Sequence, residues 1–544
     1  MRVAWVRGAL VFVAGADTVS GQTKSTPPAL TLFDDTLDAV RVMQNDFFQP
    51  WVGTWPTAID WTAAVMGTQV TGALHSLSRN LQTMRVSGNQ GNDFKAKENL
   101  VSLYFSQLVA FYFGQDSLSL RGQAFDDMLW VVLGWLDATR FIKDHSMAHF
   151  DGLLGVAPFA QEQGWYGNQW TAAFAHRARI FWHLAERGWD TRLCGGGMNW
   201  NPNLSPYKNA ITNELFISAS IAMYLDFPGD TNSAPFGAHP GAGFGASAPS
   251  GTAIYPPKDR KYLRAAVNGY SWLVDSQMMN NQGLYADGFH ISGYPQKNRT
   301  KCDSRDEMVY TYNQGVVLSG LRGLYRVTGD PSYLEDGHNL IASVIAATGW
   351  DLRRNTPLDT FSARVPRWYG LGRAGVLEDA CDITGSCSQD SQTFKGIWMH
   401  HFATFCAPLE PDDSRVAFNG SDAIHLVECK RYIPWLQHNA RAARGTRDER
   451  GRFGMWWTAG LLDTLTTVNM VIGPDTLPAY GEDAVDYRNE GVPQDEKWMG
   501  GSRPIVMRAG AAVRDVNDRG RGRTVETQSG GLALLRALLE LERL

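Results

Sequence analysis

From Thr31 to the C-terminus, apolar residues recur at intervals of three and four, and two-residue alternation is hard to find. That period places side chains on one face of an α-helix. Leu100, Leu103, Tyr104, Leu108 and Phe111 carry it in one stretch, and Leu129, Val132, Leu133 and Leu136 in another. The spacing predicts helices near 31–48, 56–82, 96–113, 125–142, 169–187, 207–226, 258–279, 308–328, 331–348, 391–405, 423–443, 453–467 and 525–542. Gly, Pro and Asn turns separate them, with no break in composition long enough for a linker. Such an unbroken succession predicts a single all-α domain of helical hairpins. The Gly/Ala/Ser/Pro-rich stretch 232–257 reads as an inserted surface loop, and 381–391 and 474–525 as long irregular regions.

The first residues predict a leader. Arg2 and Arg7 precede the short apolar run Gly8 to Ala16, and small polar residues follow to Gln22, the pattern of a secretory signal over 1–21. The mature domain then covers 22–544. No later segment reaches the ~18 uncharged apolar residues of a membrane span. Leu532 to Leu544, with Arg536, Glu540 and Arg543, reads as an amphipathic helix and not as a lipid-anchor tail. Six cysteines, an even number, fit an oxidising compartment. Fifteen pairings are open, although Cys381 and Cys387 are near enough for a small loop bridge. Asn203, Asn298 and Asn419 stand in glycosylation sequons. With 50 Lys+Arg against 55 Asp+Glu, the chain has no charge excess to recruit nucleic acid. Its 19 tryptophans suit a carbohydrate ligand, because sugar rings stack on indoles, although most large aromatics serve as core.

The most informative motif is Phe125-Asp126-Asp127-Met128-Leu129-Trp130, where two adjacent carboxylates open an apolar helix. The positive helix end favours their charged form and desolvation by Phe125 and Trp130 opposes it, so the two can divide into a nucleophile and a proton donor. Retaining glycosidases hold such a pair ~5–5.5 Å apart. A helix cap with a first-turn acid is the plainer alternative. Further on, Cys194-Gly195-Gly196-Gly197 permits backbone approach to a ligand, with Trp200 close behind. Asn209 and Asn213 lie one helical turn apart and can offer paired amides to sugar hydroxyls, or act as caps. Tyr312-Asn313 and Phe394-Lys395 repeat the pattern of a polar, aromatic-rich entrance before an apolar helix.

Taken in order, Phe-Asp-Asp-Met-Leu-Trp, Cys-Gly-Gly-Gly, Tyr-Lys-Asn-Ala-Ile-Thr-Asn-Glu-Leu-Phe, Thr-Tyr-Asn-Gln-Gly and Thr-Phe-Lys-Gly-Ile resemble glycoside hydrolase family 76, the endo-α-1,6-mannanases and their fungal cell-wall relatives. The resemblance runs over about 95–410. It implies an (α/α)6 toroid and a retaining mechanism on α-1,6-mannan without cofactor or metal, with Asp126 as nucleophile and Asp127 as general acid/base. Trp130, Trp200, Asn209, Asn213, Tyr312, Asn313, Phe394 and Lys395 are the expected substrate contacts. The expected product of such a chain is a secreted endo-acting hydrolase, a monomer, with a transglycosidase on mannose-containing glycans or a non-catalytic mannan-binding protein as alternatives.

Other chemistry is weaker. Asp126-Asp127-x-x-Trp130 begins like a prenyl-transfer magnesium motif, but Trp stands where the third acid belongs. His145 and His149, one turn apart, would be surface residues with no third metal ligand nearby. His400 and His401, adjacent on a helix, point to different faces.

Overall fold

The computed structural model describes residues 31–86, 91–150, 165–232, 254–295, 299–361, 365–408, 420–462 and 515–544. The expected leader, nearly all of the 232–257 insertion and most of 474–525 lie outside these residues. The helices are α1 (Leu32–Asp46), α2 (Asp60–Val86), α3 (Asn92–Gly114), α4 (Phe125–His149), α5 (Thr171–Ala185), α6 (Ala210–Leu225), α7 (Arg260–Asp275), α8 (Val316–Thr328), α9 (Ser332–Ala346), α10 (Gln389–Phe405), α11 (Ser421–Lys430), α12 (Ile433–Arg444) and α13 (Val525–Leu541).

Six of them form a closed inner ring: α2 packs on α4, α4 on α6, α6 on α8, α8 on α10, α10 on α13, and α13 back on α2. Five of the inner helices also pack against outer ones, α3 on α2, α5 on α4, α7 on α6, α9 on α8, and α1 and α12 on α13. This is an (α/α)6 toroid. The sequence separates the two layers. Every residue of α13 is buried, whereas α7 buries only Tyr262, Ala266, Gly269, Trp272 and Leu273. A helix enclosed on all sides belongs inside and one with a single apolar stripe outside. The C-terminal helix is therefore not the surface amphipathic helix that its charges suggest, since Arg536 and Glu540 face into the ring. Asp35 of α1 ties the ends together by accepting from Arg444 Nε at 2.6 Å and Arg447 Nη1 at 2.5 Å.

Local signals mark several helix boundaries. Thr31, Asp259, Ser388 and Thr524 cap α1, α7, α10 and α13 with side-chain oxygens. Gly329, at φ +74°, ends α8 in the left-handed conformation that glycine adopts without penalty. Two expectations change. The 423–443 helix is two, α11 and α12, because Pro434 starts a new helix and cannot continue the old one. In place of a helix over 453–467 there is a single 3-10 turn at Trp457–Leu461, with 463–467 outside the described residues. The β structure is slight: β1 (Tyr207–Asn209), β2 (Gly288–His290) and β3 (Ser304–Asp306) pair antiparallel beside the entrance of α6, and the remaining strands are two-residue pairs.

All six cysteines are paired, as Cys194–Cys302, Cys381–Cys387 and Cys406–Cys429. The small loop bridge is present, and the other two join distant segments. Among the described residues no helix is long and apolar enough to cross a membrane.

Candidate active site

Alternating outer and inner helices make the inner ones parallel, so their first turns gather at one end of the toroid. Hydrogen bonds join these entrances. Trp61 Nε1 of α2 donates to Asp390 of α10 at 2.9 Å, while Thr62 of α2 and Gln389 of α10 donate to Glu526 of α13 at 3.2 and 2.7 Å. Gln123, just before α4, donates to Asp60 of α2 at 2.8 Å. Asp287 links the α6 and α8 entrances by accepting from the Tyr207 hydroxyl at 2.6 Å and from Asn313 Nδ2 at 3.1 Å.

Phe125, Asp126 and Asp127 are the first three residues of α4, and Ala124 is its N-cap, so neither aspartate holds the capping position. The Phe125 N–H donates to the Trp200 carbonyl at 2.8 Å, which anchors this turn to the loop after the triple glycine. Asp127 Oδ2 accepts from the Ala124 N–H at 3.2 Å, and Asp126 Oδ1 from the Asp127 N–H at 3.0 Å. Both carboxylates thus take donors that the first helical turn leaves without carbonyl partners. Asp126 is buried and Asp127 half-buried. Beside this turn opens a recess of about 720 Å³, with Phe125 and Met128 on the α4 wall and Arg121, Arg187, Arg192 and Asn199 among the residues facing them.

The sequence-predicted contacts separate into two groups. Asn209 is the N-cap of α6 and is buried, yet neither its Oδ1 nor its Nδ2 has a hydrogen-bond partner among the described residues. Asn313 Oδ1 is likewise unpartnered. A buried amide without partners costs about 1–3 kcal/mol, so the α6 and α8 entrances hold polar atoms with bonding capacity left over. Trp200 is half-buried, edge-on to Tyr207 at 6.2 Å.

The second group is engaged with protein. Asn213 Oδ1 accepts from the Met198 N–H at 2.7 Å, and its Nδ2 donates to the Asn209 carbonyl at 2.8 Å, so it fastens the triple-glycine loop to α6. Tyr312 and Phe394 stack face to face at 3.9 Å and are buried, which leaves no aromatic platform there. Lys395 donates to the buried Asp382 and lies 5.4 Å from the centre of the Trp457 ring. Trp130 is buried and stacks on Trp61 at 6.0 Å. Two of the three glycines approach an indole: a Cβ would come within 3.0 Å of the Trp272 ring at Gly196 and, at Gly197, φ +82°, within 2.5 Å.

Acidic residues that sequence reading passed over shape this end of the molecule. Asp287, Asp379, Asp382, Asp390 and Glu526 all lie among the entrances and add negative charge beyond the aspartate pair. Asp287 sits in Ala286-Asp287-Gly288, which reads as a turn. Burial, with Asp287 beside it, raises the Tyr207 hydroxyl well above the usual phenol range. Burial raises the Asp382 carboxyl against the opposing pull of Lys395. Burial also holds Glu214 well above the usual carboxylate range.

The histidines are not ligands at a surface. His145 and His149 are buried and share Ser78 Oγ at 2.7 and 3.1 Å, the reverse of the exposure expected for them. His400 and His401 do diverge, His400 to Asp137 at 3.1 Å and His401 to Ser319 at 2.6 Å.

With this geometry in view, comparison with known proteins gives a consistent picture. Residues 252–471 match the model of glycosyl hydrolase family 76, a segment that includes Tyr312, Asn313, Phe394 and Lys395 and begins after Asp126 and Asp127. The chain is 26% identical over 236 residues to the Saccharomyces cerevisiae mannan endo-1,6-alpha-mannosidase DFG5, covering 41% of this chain and 38% of that protein. It is 24% identical over 265 residues to the Candida glabrata mannan endo-1,6-alpha-mannosidase DCW1, covering 47% and 42%. The aligned part thus spans about two fifths of the length of these curated relatives. Among solved structures, an inactive variant of the alpha-1,6-mannanase GH76A of Salegentibacter sp. HEL1_6, in complex with alpha-1,6-mannotetrose, shares the fold. Its TM-score is 0.50 at 15% identity, over 94% of this chain and all of that one.

Proposed function

The chain belongs to glycoside hydrolase family 76, and on that premise we propose that it hydrolyses internal α-1,6-mannosidic bonds of mannan with retention of configuration, as one extracellular domain over 22–544 acting as a monomer. Asp126 is the nucleophile and Asp127 the general acid/base. The observation that carries this reading is the adjacency of the two carboxylates on the first turn of an inner helix, at the end of the toroid where the Asn209 and Asn313 amides are buried without full hydrogen bonding.

The chemistry follows from those positions. Asp127 protonates the glycosidic oxygen as the Asp126 carboxylate attacks the anomeric carbon from the opposite face; the leaving sugar departs with that proton, and a glycosyl ester forms. Asp127, now a carboxylate, takes a proton from water as the water oxygen attacks the same carbon, which releases Asp126 and restores the original configuration. Asn209, with donor and acceptor atoms, and Asn313, through its Oδ1 acceptor, hold sugar hydroxyls beside the pair. The mannanase of known structure that shares this fold is inactive when two consecutive aspartates are replaced, which supports giving Asp126 and Asp127 these roles. Three disulfides and the exposed sequon at Asn203 support a secreted product.

Kinetics of Asp126→Asn and Asp127→Asn on linear α-1,6-mannan test the proposal. Each should cost at least roughly 10³-fold in kcat, and azide should partly rescue only Asp127→Asn with an activated substrate. Near-full activity of either variant overturns the assignment. Product analysis with an added sugar acceptor separates hydrolysis from transfer, and mannan binding without turnover by the intact protein would make the chain a binding protein.

A further inference from the structure

Two large aromatic side chains stand in solvent on the outer flank of the toroid, and neither lines the recess beside the aspartates. Trp51 is 82% exposed and Phe113 69%. Trp51 is not carried on a loose loop. It lies in the turn from Gln49 to Thr54, where the Gln49 N–H donates to the Thr54 carbonyl at 2.9 Å and the Gln49 carbonyl accepts from the Val52 and Gly53 N–H groups at 3.0 and 2.8 Å. Gly53, at φ +75°, lets this turn press on the last turn of α3, for a Cβ there would meet the Ala110 carbonyl oxygen at 2.5 Å. An exposed indole on so fixed a base is held ready for a ligand.

The helical repeat sets these rings in order. Ala110 and Gly114 share the side of α3 on which the Trp51 turn rests. Phe111, buried 5.0 Å from Trp55, faces the core. Phe113, two residues and about 200° further round, points away from it. Tyr112, on the side opposite the turn, packs on Phe174 of α5, and Trp170, the residue before α5, meets the Phe113 ring edge-on at 5.7 Å. The Trp51 turn, Phe113 and Trp170 therefore follow one another across the flank. Ser119, six residues beyond Phe113, donates to Asp60 of the α2 entrance at 2.8 Å, so the flank leads up to the end of the toroid that carries the aspartates.

The occupant follows from size and charge. At ~150–250 Å² per ring, Trp51 and Phe113 offer roughly 230–380 Å² of exposed aromatic surface, well below the ~800 Å² per partner of a stable protein interface. Uncharged rings in a row suit a neutral ligand of repeating units, each with an apolar face to stack on them, as the pyranoses of a polysaccharide have. We propose that Trp51 and Phe113, with Trp170 beside them, form a second sugar-binding platform, which holds a distant stretch of the same polysaccharide whose bonds the aspartates cut. That the polysaccharide is α-1,6-mannan rests on the mannanase reading. A chain held at both places has its cleavable bonds at a raised effective concentration. Short oligosaccharides gain nothing, because they occupy one place at a time.

The test is calorimetric titration of full-length Asp126→Asn/Asp127→Asn protein, which cannot consume the ligand, with linear α-1,6-mannan and with α-1,6-mannotriose. Adding Trp51→Ala should weaken mannan binding roughly three- to tenfold and leave mannotriose binding unchanged. Adding Phe113→Ala as well should weaken mannan binding further. Both side chains are exposed, so Tm should match the parent. Unchanged mannan affinity in the folded variants would overturn the platform alone, and so would an equal loss for both ligands, which would place Trp51 in the cleft. A dimer of the parent that Trp51→Ala dissociates in sedimentation would also overturn it, by making the patch a contact between copies of the chain. Mannan that fails to bind even the parent would overturn the mannanase reading together with the platform.

Discussion

Asn213→Ala separates substrate contact from loop anchoring more sharply than any other single change. The native side chain receives the Met198 N–H and donates to the Asn209 carbonyl, and all three residues are buried. Alanine leaves the Met198 N–H without partner or water, a penalty of ~1–3 kcal/mol, and removes the bond to Asn209, worth about 1 kcal/mol. The sum predicts a loss of about 2–4 kcal/mol in folding free energy. The loop that Asn213 fastens is also held by Cys194–Cys302 and by the Phe125–Trp200 backbone bond, so the aspartate turn keeps one anchor. Turnover of the folded fraction should therefore fall by no more than about tenfold, on the scale of one hydrogen bond's loosening. Urea unfolding followed by tryptophan fluorescence gives the first quantity and kcat/KM on linear mannan the second. A stability change below ~0.5 kcal/mol together with a larger fall in kcat/KM would show that the amide serves the substrate, and the loop argument would be wrong.

Lys395→Met removes the cation that opposes burial at Asp382, so the carboxyl takes up a proton and loses its strongest partner, at a cost of about 1–3 kcal/mol; adding Asp382→Asn should restore part of it in denaturant titration. Burial lowers His145 from the ordinary 6.5 to about 3, so below pH 6.5 the unfolded chain takes up a proton that the folded chain refuses. The stability tied to this group is complete above pH 6.5 and is lost as pH falls toward 3. His145→Asn should flatten the stability profile between those values by up to ~1.4 kcal/mol per pH unit, and an unchanged slope would mean that the imidazole is not kept neutral. Thiol titration of the denatured, unreduced protein should find no free cysteine. Breaking Cys194–Cys302, which closes a span of 108 residues, should lower stability by roughly 4–5 kcal/mol in the chain-entropy description.

Much of this architecture is legible in the residues because an (α/α)6 ring repeats one local pattern. Three-and-four spacing locates the helices, and caps such as Thr31, Ser388 and Thr524 bound them. What local pattern cannot convey is which face of a helix meets which neighbour. Arg536 and Glu540 look like the polar side of a surface helix until ring closure by α13 turns them inward. Tyr312 and Phe394 are 82 residues apart and read separately as sugar platforms, but the packing of α8 on α10 stacks one on the other. Asn213 and Lys395 have the polarity of ligand contacts, and only the fold shows that a loop N–H and a buried carboxylate meet them first. Asp287 is hidden by its Asp-Gly turn context, and its work of joining Tyr207 to Asn313 exists only across strands.

The account rests on Asp126 and Asp127 acting as nucleophile and acid/base in a double displacement. Proton NMR of the reducing ends first released from a defined α-1,6-manno-oligosaccharide, recorded before mutarotation, tests it most directly. Two inversions at the same carbon predict that the α anomer appears first and then drifts toward equilibrium. Initial release of the β anomer would mean a single displacement by water and would contradict the role given to Asp126.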